Sequence, residues 1–416
     1  MRLQDHDDIG FDGIICIGGE DWWYHNRGHF DFQMMRRLGQ HWPVLFVNSL
    51  AVRMPSLAEK HQFAARIGRK LKSLMRGLVR VENNFWVYSP LSIPGAAGQK
   101  LSSWALAPQI RSAAARAGIK RPLLWMHCPA GAPLVSEIPH VAMVLQRTDR
   151  FESFPEADPE IVGAQISALK AAADLVVYCN AALMREEDGE VSRQLLMTHG
   201  VDFETFAAAG RARAPGPVDV ATLKRPRIGF VGGIDAHTFD PELFVSLAKK
   251  LPDAEFALIG GCSLPDGWCP LPNVKLLGRK PYDMVAHYMA AMDVLIMPWN
   301  NSEWIKACNP IKLKEYLATG RPVVTTDFPA LDKYRDLVHV AKGPTGFAVA
   351  ILRALHEPYD ANAARARVAM EGWDAKADYL AESLADLVAE IARGDQAGAT
   401  IIETKPHAFN RPRTAA

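Results

Sequence analysis

Asn309-Pro310-Ile311-Lys312-Leu313-Lys314-Glu315-Tyr316-Leu317-Ala318-Thr319-Gly320-Arg321-Pro322-Val323-Val324 reads as a helix with both ends marked, running directly into a strand. Asn309 is a natural N-cap, Pro310 suits the first helical position and Gly320 the stop. Upstream, Val294–Met297 is a short apolar run of the kind that forms a buried parallel strand. A helix that opens just after such a strand offers free N–H groups and a positive dipole end, which together attract phosphate. Lys312 in the first turn adds a mobile charge suited to a diphosphate. Glu315, three residues on along the same face, can accept hydrogen bonds from two ribose hydroxyls. Either residue alone reads more plainly as half of an exposed surface pair; the capped segment as a whole favours a nucleotide site.

Working outward, the same alternation of strand and helix fills the chain. Strands are expected at Gly13–Ile17, Val44–Val47, Phe85–Tyr88, Leu123–Met126, Val141–Leu145 and Leu175–Tyr178, with helices such as Phe30–Leu38 and Ile161–Ala172 between them. A second series runs Ile228–Val231, Phe256–Ile259, Val274–Leu277, Val294–Met297 and Pro322–Thr325, with helices at Pro241–Leu251, Tyr282–Ala291 and Pro310–Thr319. Strands separated by helices form parallel, doubly wound sheets. The expected organisation is a first domain over 1–206, a Pro/Gly/Ala-rich linker over 207–222, a second domain over 223–374, a helix over 375–392 and a disordered tail over 393–416.

In such sheets ligands sit beyond the carboxyl ends of strands. That rule selects Gly18 and Gly19, followed by Trp22 and Arg27, as a ligand-facing aromatic and polar group, with core packing the rival role for the Trp pair. It also selects His127 and Asp149, and Gly232, Gly233 and Arg279 on the side of the nucleotide helix with Asn309, Lys312 and Glu315. Asp149 reads equally as a turn or cap residue, and His127 as a structural histidine.

The composition narrows the class. Of 416 residues, 49% are hydrophobic and 22% charged, which excludes wholesale disorder. Lys plus Arg number 47 against 46 Asp plus Glu, a net charge of +1 that gives no overall grip on nucleic acid. The six cysteines form no CxxC motif, so a structural zinc site is not expected. No apolar run reaches the ~18–20 residues of a membrane span, and the acidic start is no secretory signal. A cytoplasmic location is the expectation.

The capped segment resembles the donor-site helix of GT-B glycosyltransferases, in particular the teichuronic-acid-type branch, and more distantly the xanthan glucuronosyltransferase. Further matches are Ile228-Gly229-Phe230-Val231-Gly232, Leu271-Pro272-Asn273-Val274 leading to Leu277-Gly278, Met292-Asp293-Val294-Leu295-Ile296-Met297-Pro298 and Gly200-Val201-Asp202-Phe203. The resemblance implies two Rossmann-like domains facing a cleft, a C-terminal helix crossing back to the first, and transfer of a sugar from a nucleoside diphosphate sugar, UDP-sugar foremost. The acceptor would be a surface-polysaccharide or lipid-linked glycan. Protein charges and dipoles would stabilise the leaving group, with no metal and no other cofactor. The resemblance also makes Asp149 the candidate base of an inverting transfer, with His127 its rival. Two departures leave the stereochemical course open. Many retaining members have a second Glu where Ala307 stands, and an Arg and a Lys where this chain reads Gly232-Gly233-Ile234-Asp235-Ala236-His237. A catalytically inactive scaffold that holds nucleotide or glycan is therefore the alternative; an epimerase of the same fold has no distinctive support.

Between Lys60 and Arg80 lie seven Lys or Arg and no acidic residue. At about 100° per residue, Phe63, Ile67, Leu71, Leu74 and Leu78 share one face, with Arg66, Arg69, Lys70, Lys72, Arg76 and Arg80 mostly opposite. The segment is read as an interfacial helix on an anionic membrane surface, placing the protein peripherally at the inner face of the plasma membrane. An amphipathic helix covering the core is the plainer reading.

Overall fold

The computed structural model describes residues 10–24, 28–50, 68, 72–91, 96–153, 157–212, 214, 216–302, 305, 310–394 and 400–402, the side chains of 96–103 and 400–402 excepted. The chain divides into two compact units, 1–198 with 374–416, and 199–373.

The first unit is built on β1 (Gly13–Ile17), β2 (Val44–Val47), β3 (Leu78–Glu82), β4 (Phe85–Tyr88), β5 (Pro122–Met126), β6 (Ala142–Arg147), β7 (Leu175–Tyr178) and β8 (Arg193–Leu196). Its helices include α1 (Phe30–Leu38), α2 (Ala96–Arg116), α3 (Pro159–Ala172) and α4 (Ala181–Glu186). The strand order β8-β7-β6-β5-β1-β2-β4-β3 is parallel except for the β3–β4 hairpin, and a short strand, Thr400–Ile402, runs along β8 at the edge. β1, β2 and β5 are buried at every position, so they read as continuous apolar runs. The order reverses between β1 and β5, which makes their carboxyl ends the switch point.

The second unit carries α5 (Phe203–Arg211), α6 (Val218–Ala221), β9 (Arg227–Val231), α7 (Pro241–Lys250), β10 (Glu255–Ile259), β11 (Val274–Gly278), α8 (Tyr282–Ala290), β12 (Val294–Met297), α9 (Ile311–Thr319), β13 (Val323–Thr325), β14 (His339–Val340), α10 (Gly343–His356) and α11 (Ala361–Ala369). Its parallel sheet runs β11-β10-β9-β12-β13-β14, with the switch point between β9 and β12. One apolar cluster under α5, α8 and α9 and another under α7 and α10 cover its two faces. The last helix, α12 (Trp373–Arg393), packs on the first unit as expected: Asp374 pairs with Arg37 at 3.0 Å, Asp378 with His41 at 3.2 Å and Glu390 with Arg193 at 3.2 Å.

Two sequence expectations change. The basic segment is not one helix to Arg80. Residues 72–76 are helical, Gly77 turns the chain at φ 61°, and Leu78–Glu82 is a strand paired antiparallel with β4. Leu74 and Leu78 satisfy a helical period, but Leu78, Arg80 and Glu82 also fit the alternation of a hairpin strand, and pairing with β4 decides. Arg80 accordingly lies over the Trp86 ring and donates to the Asn83 carbonyl. Arg27, Arg66, Arg69 and Lys70 lie outside the described residues. The helix start also moves: Pro310, at ψ 120°, is itself the N-cap and Ile311 the first helical residue, while Asn309 lies outside the described residues. Gly320 ends the helix in the left-handed region, as its position suggested.

A buried ionic cluster closes β6. The Arg147 side chain, fully enclosed, pairs with Glu152 at 2.6 Å and Glu187 at 2.8 Å, and donates to the Asp149 carbonyl at 2.8 Å. Tyr178 donates to Glu187 at 2.8 Å. Burial pushes the Glu187 carboxyl up, but the Arg147 and Tyr178 bonds outweigh it and leave it below the usual range. Arg147→Ala leaves the buried Glu187 with only Lys170, 3.5 Å away, as a counter-charge and should cost about 3 kcal/mol. Denaturant unfolding of the variant beside Arg147→Lys should show the loss, with Lys restoring part of it.

Candidate functional site

Both switch points gather the polar residues of their unit. In the second unit β9 ends in Val231, whose N–H has no strand partner and donates instead to the buried Tyr316 hydroxyl at 2.8 Å. That bond ties α9 to the sheet one turn beyond Lys312. The Lys312 ammonium consequently lies 4.4 Å from the Phe230 ring centre and 5.5 Å from that of Trp299. It crowds Gly232 so closely that a Cβ there would stand 2.0 Å from Nζ. Gly232 is at φ 152° and Gly260, at the end of β10, at φ 149°; a Cβ on Gly260 would meet the Gly232 carbonyl at 1.8 Å. Both positions need glycine, and the strand ends are packed backbone against backbone.

Glu315 is buried beside Lys312. Burial drives its carboxyl up to about 7; Lys312 and a hydrogen bond from Tyr282 oppose this, and Asp202 on the approach to α5 reinforces it. The neighbouring Lys314 points elsewhere: it is enclosed, bonded to the His199 carbonyl and paired with Glu371. Burial holds its ammonium below the usual range. One helix thus carries a lysine that anchors the fold and another held at a strand end against two aromatic faces. Gly233 lies against the Asp235 carboxylate, which caps its own turn through the Thr238 N–H at 2.9 Å. Arg279, exposed after β11, stands against Gly261 at the end of β10, where a Cβ would lie 2.7 Å from Nε.

In the first unit His127, just past β5, meets an acid that the sequence does not single out. Asp31 in the first turn of α1 is fully buried, with Oδ2 3.1 Å from His127 Nδ1. Burial alone would raise the Asp31 carboxyl, but the charge and hydrogen bond of His127, the charge of His29 and the Phe32 N–H bring it below its ordinary value. Asp31 and His127 thus form a buried pair, and the Gly19 N–H lies 3.2 Å from the same Nδ1. His127 Nε2 lies 3.2 Å from the Thr148 hydroxyl oxygen. A histidine ring held between a buried carboxylate and a hydroxyl is an arrangement that general bases use.

Asp149 follows on the same loop. Burial raises its carboxyl; the charges of His127, His29 and Arg147 and a bond from Thr148 oppose it without cancelling it. Asp149 leads into the short 3-10 turn Phe151–Ser153, its carbonyl accepting from the Phe151 N–H at 3.1 Å, and the nearby arginines pair with other acids, Arg147 with Glu152 and Glu187 and Arg150 with Glu186. Gly18 and Gly19 serve packing: a Cβ would strike the Phe46 ring at 2.2 Å or His127 Cε1 at 2.7 Å. Trp22 is buried among Phe32, Phe46 and Phe85, so its ring belongs to the core and not to a sugar-facing surface. Lys72 is exposed, and Arg76 lies 4.3 Å over Trp23.

Residues 225–357, within the second unit, match the family described as glycosyl transferases group 1. A putative teichuronic acid biosynthesis glycosyltransferase, TuaH of Bacillus subtilis, is 31% identical over 174 residues. The match takes in 39% of this chain and 42% of that protein. The fold is the GT-B fold. Sucrose-phosphate synthase from Thermosynechococcus elongatus superposes at a TM-score of 0.65 and 16% identity, over 91% of this chain and 99% of that one. Anabaena HepE in complex with UDP and glucose does so at 0.51 and 13%, over 92% and 98%. Among the described residues no helix is long and apolar enough to cross a membrane.

The raised Glu315 carboxyl carries a pH signature. Its folded value, about 7, exceeds the ordinary 4.5, so between these the native state holds a proton that the unfolded chain has lost. Its contribution is complete below pH about 4.5 and lost as pH rises through about 7. Glu315→Gln should therefore show a flatter melting temperature between these pH values than the parent, measured by calorimetry without ligand. An equal slope in both proteins would remove Glu315 as the source.

Proposed function

We propose that the protein transfers a sugar from a nucleoside diphosphate sugar, with UDP as the leaving nucleotide, to a surface-polysaccharide or lipid-linked glycan acceptor. The observation that carries this reading is the Lys312 ammonium held against Gly232 at the carboxyl end of β9, where a parallel sheet takes its ligands. The α9 N-terminus and Lys312 would neutralise the diphosphate as the anomeric bond breaks. Glu315 would accept the ribose hydroxyls, whose donation offsets the burial of its carboxylate. The names of the relatives support the chemical class: one is a teichuronic acid biosynthesis glycosyltransferase and another is held with UDP and glucose.

Acceptor activation belongs to the first unit. With Asp31 orienting the ring, His127 would take the acceptor hydroxyl proton, either directly or with Asp149 as the final carrier. Of the two, His127 has the more complete support, because the buried Asp31 carboxylate orients its ring. Asp149, raised by burial, offers a second acceptor in the same loop.

Release of UDP from a panel of UDP-sugars tests the class. Lys312→Ala should weaken donor binding by about 1.5–3 kcal/mol, the worth of a charge-assisted contact. His127→Gln or Asp149→Asn, whichever is the base, should lower turnover by roughly 10²–10⁴-fold while donor affinity holds. Donor binding with no turnover in the parent would favour a scaffold, a reading that Ala307 supports because related transferases have Glu there. Peripheral membrane attachment is part of the same proposal. Sedimentation with anionic vesicles should occur at low salt and fall when Arg69, Lys70, Lys72 and Arg76 become Gln; equal binding to neutral vesicles would defeat it.

A further inference from the structure

The switch point between β9 and β12 is also where their pairing stops. Among the described residues the two strands pair only at Ile228–Val294 and Gly229–Leu295, so Phe230 and Val231 run on past it. In an open parallel sheet the switch point makes the crevice in which ligands sit, but a strand that outruns its neighbour leaves backbone groups to be satisfied inside the protein. Tyr316, fully buried in α9, satisfies them. Its hydroxyl accepts from the Val231 N–H at 2.8 Å and stands 3.4 Å from the Val231 carbonyl. Burial pushes that hydroxyl up, so it stays neutral and acts by position.

The height and rotation of a helix are what such a bond controls. Tyr316 and Lys312 are four residues apart and share one helix face, so fixing the first fixes the second. The Phe230 and Trp299 rings, 4.4 and 5.5 Å from the Lys312 ammonium, hold the tip of that side chain but not the helix it hangs from. Leu313 and Leu317 bury α9 in the apolar cluster beneath it, and apolar contact is non-directional. Lys314 ties the same helix to the His199 carbonyl and Glu371, about 200° round from Lys312. The approach of Lys312 to the strand end therefore rests on Tyr316.

We propose that Tyr316 is a positioning residue for donor binding, holding Lys312 where its ammonium meets the diphosphate of a nucleoside diphosphate sugar. The inference rests on the reading of Lys312 as the diphosphate contact and adds a residue that acts through it. A lysine side chain is long and flexible, and a mobile ammonium gives up part of its benefit on binding because its freedom must then be lost. Held beforehand against Gly232, it loses less. Tyr316 thus contributes preorganisation, which is read as affinity.

Calorimetric titration of the full chain with UDP tests it, using Tyr316→Phe, Lys312→Ala and the two together. Phe keeps the ring, so the core stays filled, and melting curves establish that each variant is folded. Tyr316→Phe should weaken UDP binding by roughly tenfold, the lower end of what a charge-assisted contact is worth. In the Lys312→Ala background the same change should leave the remaining affinity as it is, because there is no lysine left to position. Its effect on the melting temperature, by contrast, should be alike in both backgrounds. Tyr288→Phe in α8 removes another buried hydroxyl, bonded to Asp219 at 2.8 Å, and should lower the melting temperature without changing UDP affinity. A folded Tyr316→Phe that binds UDP like the parent overturns the proposal. So does an equal loss of affinity with and without Lys312, which is the mark of a general structural role. A Lys312→Ala protein that binds UDP like the parent removes the donor assignment, and this inference with it.

Discussion

A single buried hydrogen bond, from the Val231 N–H to the Tyr316 hydroxyl, sets the geometry of the second unit's site. At the end of a central parallel strand a backbone donor loses its ladder partner, and leaving it unpaired inside a protein costs as much as a lost bond. Here a helix side chain supplies the acceptor. Because Tyr316 is fixed, so is the helix turn before it, and Lys312 comes to rest against the strand end. The glycines at 232 and 260 follow from that approach, since neither position has room for a Cβ. Positive charge at the strand end is thus a consequence of how a stranded N–H is satisfied.

The same economy governs the first unit. The His127 imidazole, with His29 and the Phe32 N–H, holds the buried Asp31 carboxyl below its ordinary value, and Asp31 in turn orients the His127 ring. Arg147, enclosed by Glu152 and Glu187, holds the Asp149 carbonyl and so shapes the loop that carries Thr148 to His127 Nε2. Charged groups that would be costly singly are placed in mutual contact at the carboxyl ends of strands, where the backbone also presents its open ends.

Much of the architecture was legible because buried parallel strands are apolar on both faces. β1, β2, β4, β7 and β12 occupy the residues the apolar runs indicated. The end of α9 was legible from Gly320, and Lys312 and Glu315 from their spacing. What escaped was set by distance along the chain. Asp31 sits where an acid ordinarily complements a helix dipole, and nothing local marks it as facing a histidine 96 residues away. Trp22 looked polar by its neighbours, yet three phenylalanines from three separate elements enclose it. Leu78–Glu82 satisfied two periods at once, and only its partner strand chose between them.

The first unit is made from the two ends of the chain, with α12 supplying the carboxylates that meet Arg37, His41 and Arg193. During synthesis those partners leave the ribosome long before the helix that answers them. The second unit, continuous from 199 to 373, can reach its final form while the first still waits for its closing segment. The N-terminal half of this protein is therefore the last to be finished. A premature stop shortly after 373 would leave an intact second unit joined to an incomplete partner, and chaperones would meet the exposed surface of the first.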